Sequence, residues 1–354
     1  MSSAAPSIRM SPPGPDEQAT IADISYRNYD GELRTRTFRW WAISAAVMRA
    51  SVNRRRLGYW IPAAIILIIY LFLGIAHYLT QSIQARVQQM NPMAEISTAN
   101  AYATTLYQGV TMTNLLVFIA TLTIGAAAIS ADNRANALLV YLSKPLTRTD
   151  YLIGKWIGVY LLVAALTVTP ALLMFLFFAV SYNDQGFLHD NVMLLPKLLV
   201  VSQVAAAIHT SLILGFSAWS KSPRLAGALY AAFYFISAIL AGIIGQVLLH
   251  HDAGVKKPQV AAVVADLSVS GVINAVATNL YDVDPQQAFA GFQEARRRRR
   301  HQRHPNDPDI PPPPGPILPE RAGMPVVLLI AGMMIVLPMA AASVRVRAVE
   351  VVRG

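Results

Sequence analysis

The sequence has no cysteine among its 354 residues. It therefore has no disulfide framework, no thiolate metal site and no thiol nucleophile. The patterns G-x-x-x-x-G-K-[ST], H-E-x-x-H, G-x-S-x-G and G-x-G-x-x-G are also absent. Gly154 and Lys155 stand together, but Thr149 is where a phosphate loop has its first glycine and Trp156 replaces the magnesium-binding hydroxyl. We expect no catalytic residue, no metal site and no cofactor in this chain.

Charge is scarce as well. Only 14% of the residues are charged, 55% are hydrophobic, and the mean hydropathy is +0.43, values that are rare in a soluble domain of this length. A helix needs about 20 mostly apolar residues to cross a bilayer. Six stretches qualify: Tyr59–Thr80, Gly109–Ala131, Tyr151–Val180, Leu198–Trp219, Leu225–Leu249 and Gly323–Val344.

Continuous apolar runs of this length exclude the alternating pattern of a membrane barrel. The sequence therefore predicts an all-α, polytopic membrane protein with six transmembrane helices. The first five lie within 59–249, a loop follows at 250–322, and the sixth helix spans 323–344.

Lys and Arg in short loops set the orientation. With the amino terminus inside, sixteen basic residues flank the spans on the cytoplasmic side, against Arg86 and Lys197 in the two short outer loops. We predict a multi-pass protein of the bacterial cytoplasmic (inner) membrane with both termini, including the tail at 345–354, in the cytoplasm.

The amino-terminal region divides in two. Residues 1–34 are predicted to be a disordered cytoplasmic tail, whose Ser- and Pro-rich beginning has nothing to bury. Residues 35–58 put Phe38, Trp41, Ala45 and Met48 near one face, with arginines around them, which predicts an amphipathic helix at the membrane interface. Such a helix could serve in gating or only anchor the chain.

The loop at 250–322 contains the run Arg296–Arg300 and a Pro-rich segment. We interpret the run as a solvated tether or a contact with lipid headgroups, not as a nucleic-acid site, because the basic membrane flanks account for most of the net charge of +10. Polar residues such as Asp266 and Asn274 interrupt 259–280 too often for a lipid-facing span. This part is predicted to form a short helix or re-entrant pair on the outer face.

Ion-coupled secondary transport is the competing interpretation, and it normally requires ionisable groups within the spans. The spans offer His77, His209 and Lys155. We expect Lys155 to extend to the cytoplasmic headgroups, His77 to lie at interfacial depth beside Tyr78, and His209 to form a hydrogen bond between helices. An external energy source is the simpler interpretation.

The segment after the second span has helical periodicity, with Ala135, Leu138, Leu139 and Leu142 on one face. Asp132 suits a helix amino terminus, and Pro145 ends the helix. A short helix at 132–145 is therefore predicted at the membrane surface.

The sequence LSKPLTRTDYLIGKWIGVY resembles the segment after the second membrane helix of ABC-2 type exporter permeases, where E-x-E-x-G-T-L-x-L-L-L-S-K/R-P-V-S-R is followed by G-K. The matching residues are Asp132, Leu138, Leu142, Ser143, Lys144, Pro145, Arg148, Gly154 and Lys155. Arg134, Asn136 and Ala137 depart from the pattern. An ordinary interfacial helix of an unrelated membrane protein is the alternative.

The resemblance implies a coupling helix at 132–145 that docks in a groove of a separate ATPase, with Asp132, Arg134, Leu138, Leu142, Ser143, Lys144, Pro145 and Arg148 as coupling residues. It implies that residues 35–58 form the family's elbow helix. It also implies two ATPase copies that bind ATP and Mg, and a second permease subunit in a homodimer or heterodimer.

The second span is the most polar. Thr111, Thr113, Asn114, Thr121 and Thr123, together with His209 in the fourth span, are candidates to line a path. Such side chains also pack helices together. The uncharged surroundings favour an amphiphile or lipid-like substrate over a free ion. A subunit that acts on another envelope protein, without a transported substrate, is an alternative.

Overall fold

The computed structural model describes residues 39–53, 57–91, 100–135, 147–251, 262–264, 266–285, 288 and 322–346. Every regular element in these ranges is a helix, so the predicted all-α class is confirmed. Four predicted features lie wholly or mostly outside the described residues: the tail at 1–34, residues 136–146 of the coupling helix, the Arg- and Pro-rich stretch with Arg296–Arg300, and the tail at 345–354.

Within the described ranges, six helical spans are long and apolar enough to cross a membrane. They are α2 (Leu57–Met90), α3 (Ala101–Gly125) continued by α4 (Ala127–Arg134), α5 (Arg148–Ser181), α7 (Leu194–Trp219), α8 (Pro223–His251) and α10 (Met324–Arg345). The shorter elements are α1 (Arg39–Val52), a 3-10 turn (Asn183–Gln185), α6 (Phe187–Asn191) and α9 (Val269–Tyr281). The prediction of six spans is confirmed.

Several helices are longer than the predicted spans. Helix α2 ends at Met90, ten residues beyond the predicted end at Thr80. Its 34 residues would measure roughly 50 Å, against roughly 30 Å of hydrocarbon. Hydropathy locates the part of a helix that lies in lipid, whereas backbone hydrogen bonding continues into the polar turns beyond it.

Helix α7 lies at the centre of the bundle. It packs against α3, α4, α5, α8, α9 and α10. In its most apolar stretch of 18 residues, 72% of the residues are buried, whereas the corresponding stretches of α8 and α10 are each 17% buried. The fourth span is therefore a core helix, while the fifth and sixth present most of their surface outward.

Helix α1 forms within the stretch predicted to be amphipathic. Ile43 and Ser44 are buried against α5, whereas Trp41 is 47% exposed. Helix α1 is therefore amphipathic, with one face buried against the first turns of α5. Its position at a membrane surface stays a prediction.

Helix α9 begins after Ser268, whose hydroxyl accepts a hydrogen bond from the Gly271 amide. It packs against α3, α7, α8 and α10, and most of its residues are buried. A short helix or a re-entrant pair was predicted at 259–280, and α9 overlaps the second half of that stretch. The side of the membrane on which it lies stays a prediction.

Asp266 lies just before α9. Its partial burial raises the pKa of the carboxyl to about 7, because the charged form is poorly solvated there. A large share of Asp266 is consequently neutral near pH 7. The cost of placing this residue beside the bundle is smaller than that of an ionised carboxylate.

Candidate functional site

The candidate coupling site lies where α4, α5, α7 and α1 meet. It begins at Ala126, where α3 gives way to α4. The backbone amides of Ile129 and Ser130 donate to the Ser217 hydroxyl of α7 at 3.1 and 2.9 Å, and that hydroxyl donates to the Ala126 carbonyl at 2.9 Å. A side chain inserted into the helical hydrogen-bond ladder bends a helix and anchors it. Ser217 thus fixes the end of the second span to the core helix.

The next turn of α4 carries the central ion pair. The Asp132 carboxylate lies 2.7 Å from Lys155 Nζ and accepts a hydrogen bond of 2.8 Å from the Tyr151 hydroxyl. The two charged side chains are only 18% and 9% exposed. Lys155 and Tyr151 both belong to α5, so one carboxylate ties the second span to the third.

The position of Asp132 explains why it needs these partners. It was expected to start a new helix, but the structure places it in the last turn of α4, which ends at Arg134. A carboxylate at a helix carboxyl end meets the negative end of the dipole. A charge with little access to water is also costly unless it is paired. Lys155 offsets both effects.

The surroundings of Lys155 differ from those expected from the sequence. It was expected to extend to the headgroups, but it is 8% exposed and faces Asp132. Its ammonium also lies 5.5 Å from the centre of the Tyr151 ring, within cation–π range. The sequence interpretation named no partner for Lys155, because Asp132 lies on a different helix and no local pattern links the two residues.

Gly154, the neighbour of Lys155, brings α1 onto α5. An added Cβ at Gly154 would lie 2.7 Å from the Trp40 carbonyl and 2.8 Å from Ile43 Cβ. The Ser44 hydroxyl donates to the Gly154 carbonyl at 2.8 Å. Only glycine allows this approach, so the adjacent residues Gly154 and Lys155 connect α5 to α1 and to α4 respectively.

The other predicted coupling residues have different surroundings. Arg134 and Arg148 are exposed. Arg148 starts α5, which is capped by reciprocal hydrogen bonds between Thr147 and Asp150, the capping-box arrangement. The remaining residues, Leu138, Leu142, Ser143, Lys144 and Pro145, lie outside the described residues.

The candidate path-lining residues make contacts within the bundle. Asn114 Nδ2 donates to Asn274 Oδ1 of α9 at 3.0 Å, and Thr111 approaches the same oxygen at 3.5 Å. Thr113 and Thr121 donate to carbonyls one turn earlier in α3. Thr123 donates to the Gly58 carbonyl of α2 and to the Ala120 carbonyl of its own helix. A role in lining a path stays a prediction for all of them.

Both span histidines are buried and hydrogen-bonded. Nδ1 of His209 lies 2.5 Å from the Tyr230 hydroxyl of α8, and Nδ1 of His77 lies 2.9 Å from Thr105 of α3. His77 is 7% exposed and lies among aromatic rings, with the Phe178 ring centre 4.8 Å away. The expected interhelical hydrogen bond of His209 is present, whereas His77 is more buried than its expected interfacial position.

Sequence reasoning missed Ser217, Ser44 and Tyr151. The sequence of an apolar helix does not indicate that one of its serine hydroxyls bonds to the backbone of another helix. Ser217 is also 91 residues from Ala126. Tyr151 did have a weak signal, since it lies one helical turn from Lys155 and therefore on the same face of α5.

The architecture defines a multi-pass membrane protein in which three of the motif residues, Asp132, Gly154 and Lys155, lie at one helix junction. The family model described as ABC-2 family transporter protein matches residues 41–350. The chain therefore belongs to the ABC-2 transporter family, as a permease-type membrane subunit that is not itself catalytic. Members of this family generally work with an ABC ATPase partner. No curated protein matched the chain.

Proposed function

We propose that this chain forms the translocation path of an ATP-driven exporter and receives the motion of a separate ATPase through the segment between Ala135 and Thr147. The observation that carries the proposal is the attachment of both flanks of this segment. On one side Asp132 binds α5, and Asn133 Nδ2 donates to the Ala218 carbonyl of α7 at 3.0 Å. On the other side Thr147 caps α5 directly.

These attachments make the junction suitable for force transfer. A displacement of the segment moves the carboxyl end of α4 and the amino end of α5 together, because the Asp132 contact joins them. Gly154 passes the same displacement to α1 through close backbone packing. Two ATPase copies, which bind ATP and Mg, and a second permease subunit complete the proposed assembly.

The second subunit has surface available. Gly227 of α8 packs near Leu122 and Ala126, whereas an added Cβ at Gly242 would meet no described atom within 4 Å. The exposed face of α8 thus suits a homodimer or heterodimer with a related permease. The buried partners of His77, His209 and Lys155 favour this ATP-driven function over ion-coupled transport, since each group already serves helix packing.

The first test is purification of the chain from its native membranes in mild detergent. We expect a separate subunit with a phosphate-binding loop to co-purify, identified by mass spectrometry, and ATP hydrolysis to follow that subunit. ATP hydrolysis by this polypeptide alone would refute the proposal, as would uptake into liposomes that is driven by an ion gradient without ATP.

Introducing a charge at the docking surface is expected to separate the subunits. Leu138→Glu or Leu142→Glu would bury an unpaired carboxylate in an apolar ATPase groove, at a cost of several kcal/mol. We expect ATPase co-purification to be lost while membrane insertion persists. Leu188→Glu, the same change at an exposed leucine of α6, serves as the control. Full co-purification with both substitutions present would show that docking occurs elsewhere.

The proposed orientation, with both termini in the cytoplasm, can be tested because any introduced thiol is the only one. In intact cells an impermeant maleimide is expected to label His189→Cys and His304→Cys, and to label Ser143→Cys only after the membrane is broken. The His189 side chain is 92% exposed, which makes it the accessible reference. Protection of His304→Cys alone would place the Arg296–Arg300 run in the cytoplasm.

A further inference from the structure

The second span is interrupted where it leaves α3. Helix α3 ends at Gly125, α4 begins at Ala127, and Ala126 lies between them. The Ile129 amide, which would bond to the Gly125 carbonyl in a continuous α-helix, donates to the Ser217 hydroxyl of α7 at 3.1 Å. A side chain that enters the helical hydrogen-bond ladder is one of the few causes of a kink. A hydroxyl from another helix therefore accounts for the interruption.

On the α3 side of the interruption, side-chain hydrogen bonds lead to α2. The Thr123 hydroxyl, in the last turn of α3, donates to the Gly58 carbonyl at 3.0 Å. Near the other end of α3, the Thr105 hydroxyl lies 2.9 Å from Nδ1 of His77. Helices α2 and α3 are therefore joined near both ends of α3.

On the α4 side, the contacts lead to α5 and α7 instead. Asp132 pairs with Lys155 of α5 at 2.7 Å, and Asn133 Nδ2 donates to a backbone carbonyl of α7 at 3.0 Å. Helices α5 and α7 are joined to each other as well. The Thr167 hydroxyl donates to the Ser202 carbonyl at 3.1 Å, and the Ser202 hydroxyl donates to the Thr167 carbonyl at 3.4 Å. Helix α4 continues the chain of α3 but is attached to the α5–α7 pair.

We propose that Ser217 positions a hinge at Ala126, about which α4 moves with α5 and α7 while α3 stays with α2. Gly125 suits a hinge, because it has no side chain towards α7, where an added Cβ would lie 2.5 Å from Ile213 Cγ2. The inference rests on the proposed function, since the ATPase supplies the displacement. The eight residues of α4 form a lever of about 12 Å, so a swing of roughly 15° moves its far end by roughly 3 Å.

The hinge can be tested on the full chain in nanodiscs with pairs of spin labels, since the sequence has no cysteine of its own. The pair Ile61→Cys/Ala135→Cys spans the hinge. The pair Ile61→Cys/Met112→Cys lies within α2 and α3, and Ala135→Cys/Leu173→Cys lies within α4 and α5; all four positions are exposed. Pulsed electron paramagnetic resonance is expected to give a broader distance distribution for the first pair than for the other two. Equal widths for all three pairs would overturn the proposal.

Ser217→Ala tests the role of the hydroxyl. A buried amide without an acceptor is costly, so the ladder is expected to close and the second span to become one continuous helix. The distribution for Ile61→Cys/Ala135→Cys should narrow to the width found within α2 and α3, and Ser217→Thr, which keeps a hydroxyl, should restore it. Ser202→Ala, which removes a hydroxyl between α5 and α7, is the control. An unchanged distribution in folded Ser217→Ala would contradict the proposal; if that variant does not fold, the three wild-type pairs still decide.

A nucleotide experiment separates the hinge from the proposed function. In the complex with the ATPase, ATP and vanadate are expected to shift the Ile61→Cys/Ala135→Cys distance by roughly 3 Å, the displacement of the α4 lever. The shift should be lost in Ser217→Ala and kept in Ser202→Ala, with the ATPase bound in both. No shift in the wild-type complex, or an equal shift in Ser217→Ala, would refute the hinge alone. A chain that binds no ATPase would refute the proposed function, and the isolated chain would still decide whether the span bends at Ala126.

Discussion

Lys155→Met is expected to destabilise the protein and uncouple it from its ATPase. The substitution leaves the Asp132 carboxylate, 18% exposed, without its cation at the carboxyl end of α4. Removing one partner of a buried ion pair costs about 3 kcal/mol or more. The loss should appear as earlier thermal unfolding in detergent and as weaker association with the ATPase, since one flank of the segment between Ala135 and Thr147 is released.

The double variant Asp132→Asn/Lys155→Met separates charge from packing. It removes both charges, and replacing a buried pair by neutral groups is often close to neutral in stability, so we expect most of the lost stability to return. Lys197→Met, at a lysine of α7 outside the junction, is the control. An unchanged unfolding temperature in Lys155→Met, or a double variant no more stable than the single one, would show that the pair does not hold the two spans together.

Gly154→Val is expected to detach α1 from α5. Its Cβ would lie closer than 3.0 Å to the Trp40 carbonyl and to Ile43, so α1 must shift and the hydrogen bond from Ser44 is strained or lost. Trypsin should then cut after Arg39 and Arg49 faster than in the wild type, by about tenfold for each 1.4 kcal/mol of lost docking free energy.

Gly332→Val in α10 provides the matched control, because an added Cβ there meets no described atom within 4 Å. The same variants also decide between the two roles considered for α1. Loss of ATPase coupling together with detachment supports a part in gating, whereas unchanged coupling with α1 detached would leave it only an anchoring role. Unchanged cleavage in Gly154→Val would contradict the observed packing.

The sequence predicted the spans well and their ends less well. Runs such as Ile65 to Leu73 cannot be explained except by burial in lipid or protein, so the number of spans follows from composition and length. The ends of α2 and α3 extend beyond the apolar runs, because polar residues continue a helix once its backbone is nucleated. No hydropathy signal marks that continuation.

The candidate site was only partly accessible from the sequence. The motif located Asp132, Gly154 and Lys155, but it did not reveal that Asp132 and Lys155 contact each other or that Gly154 receives α1. Asn114 was selected for its polarity, and the structure pairs it with Asn274, 160 residues away. Separations of this kind leave no local periodicity from which to infer a contact.

The sequence by itself determined that this chain is a helical membrane protein with six spans, and its motif indicated the family, since hydrophobic length and local residue order are properties of the linear chain. Only the tertiary structure decided which helix is central, which charge pairs with which, and where the second span is interrupted. These features depend on the packing of helices that are distant in sequence. In that packing, the shape of side chains such as Ser217, Gly154 and Gly125 selects the contacts, whereas hydropathy does not distinguish one apolar neighbour from another.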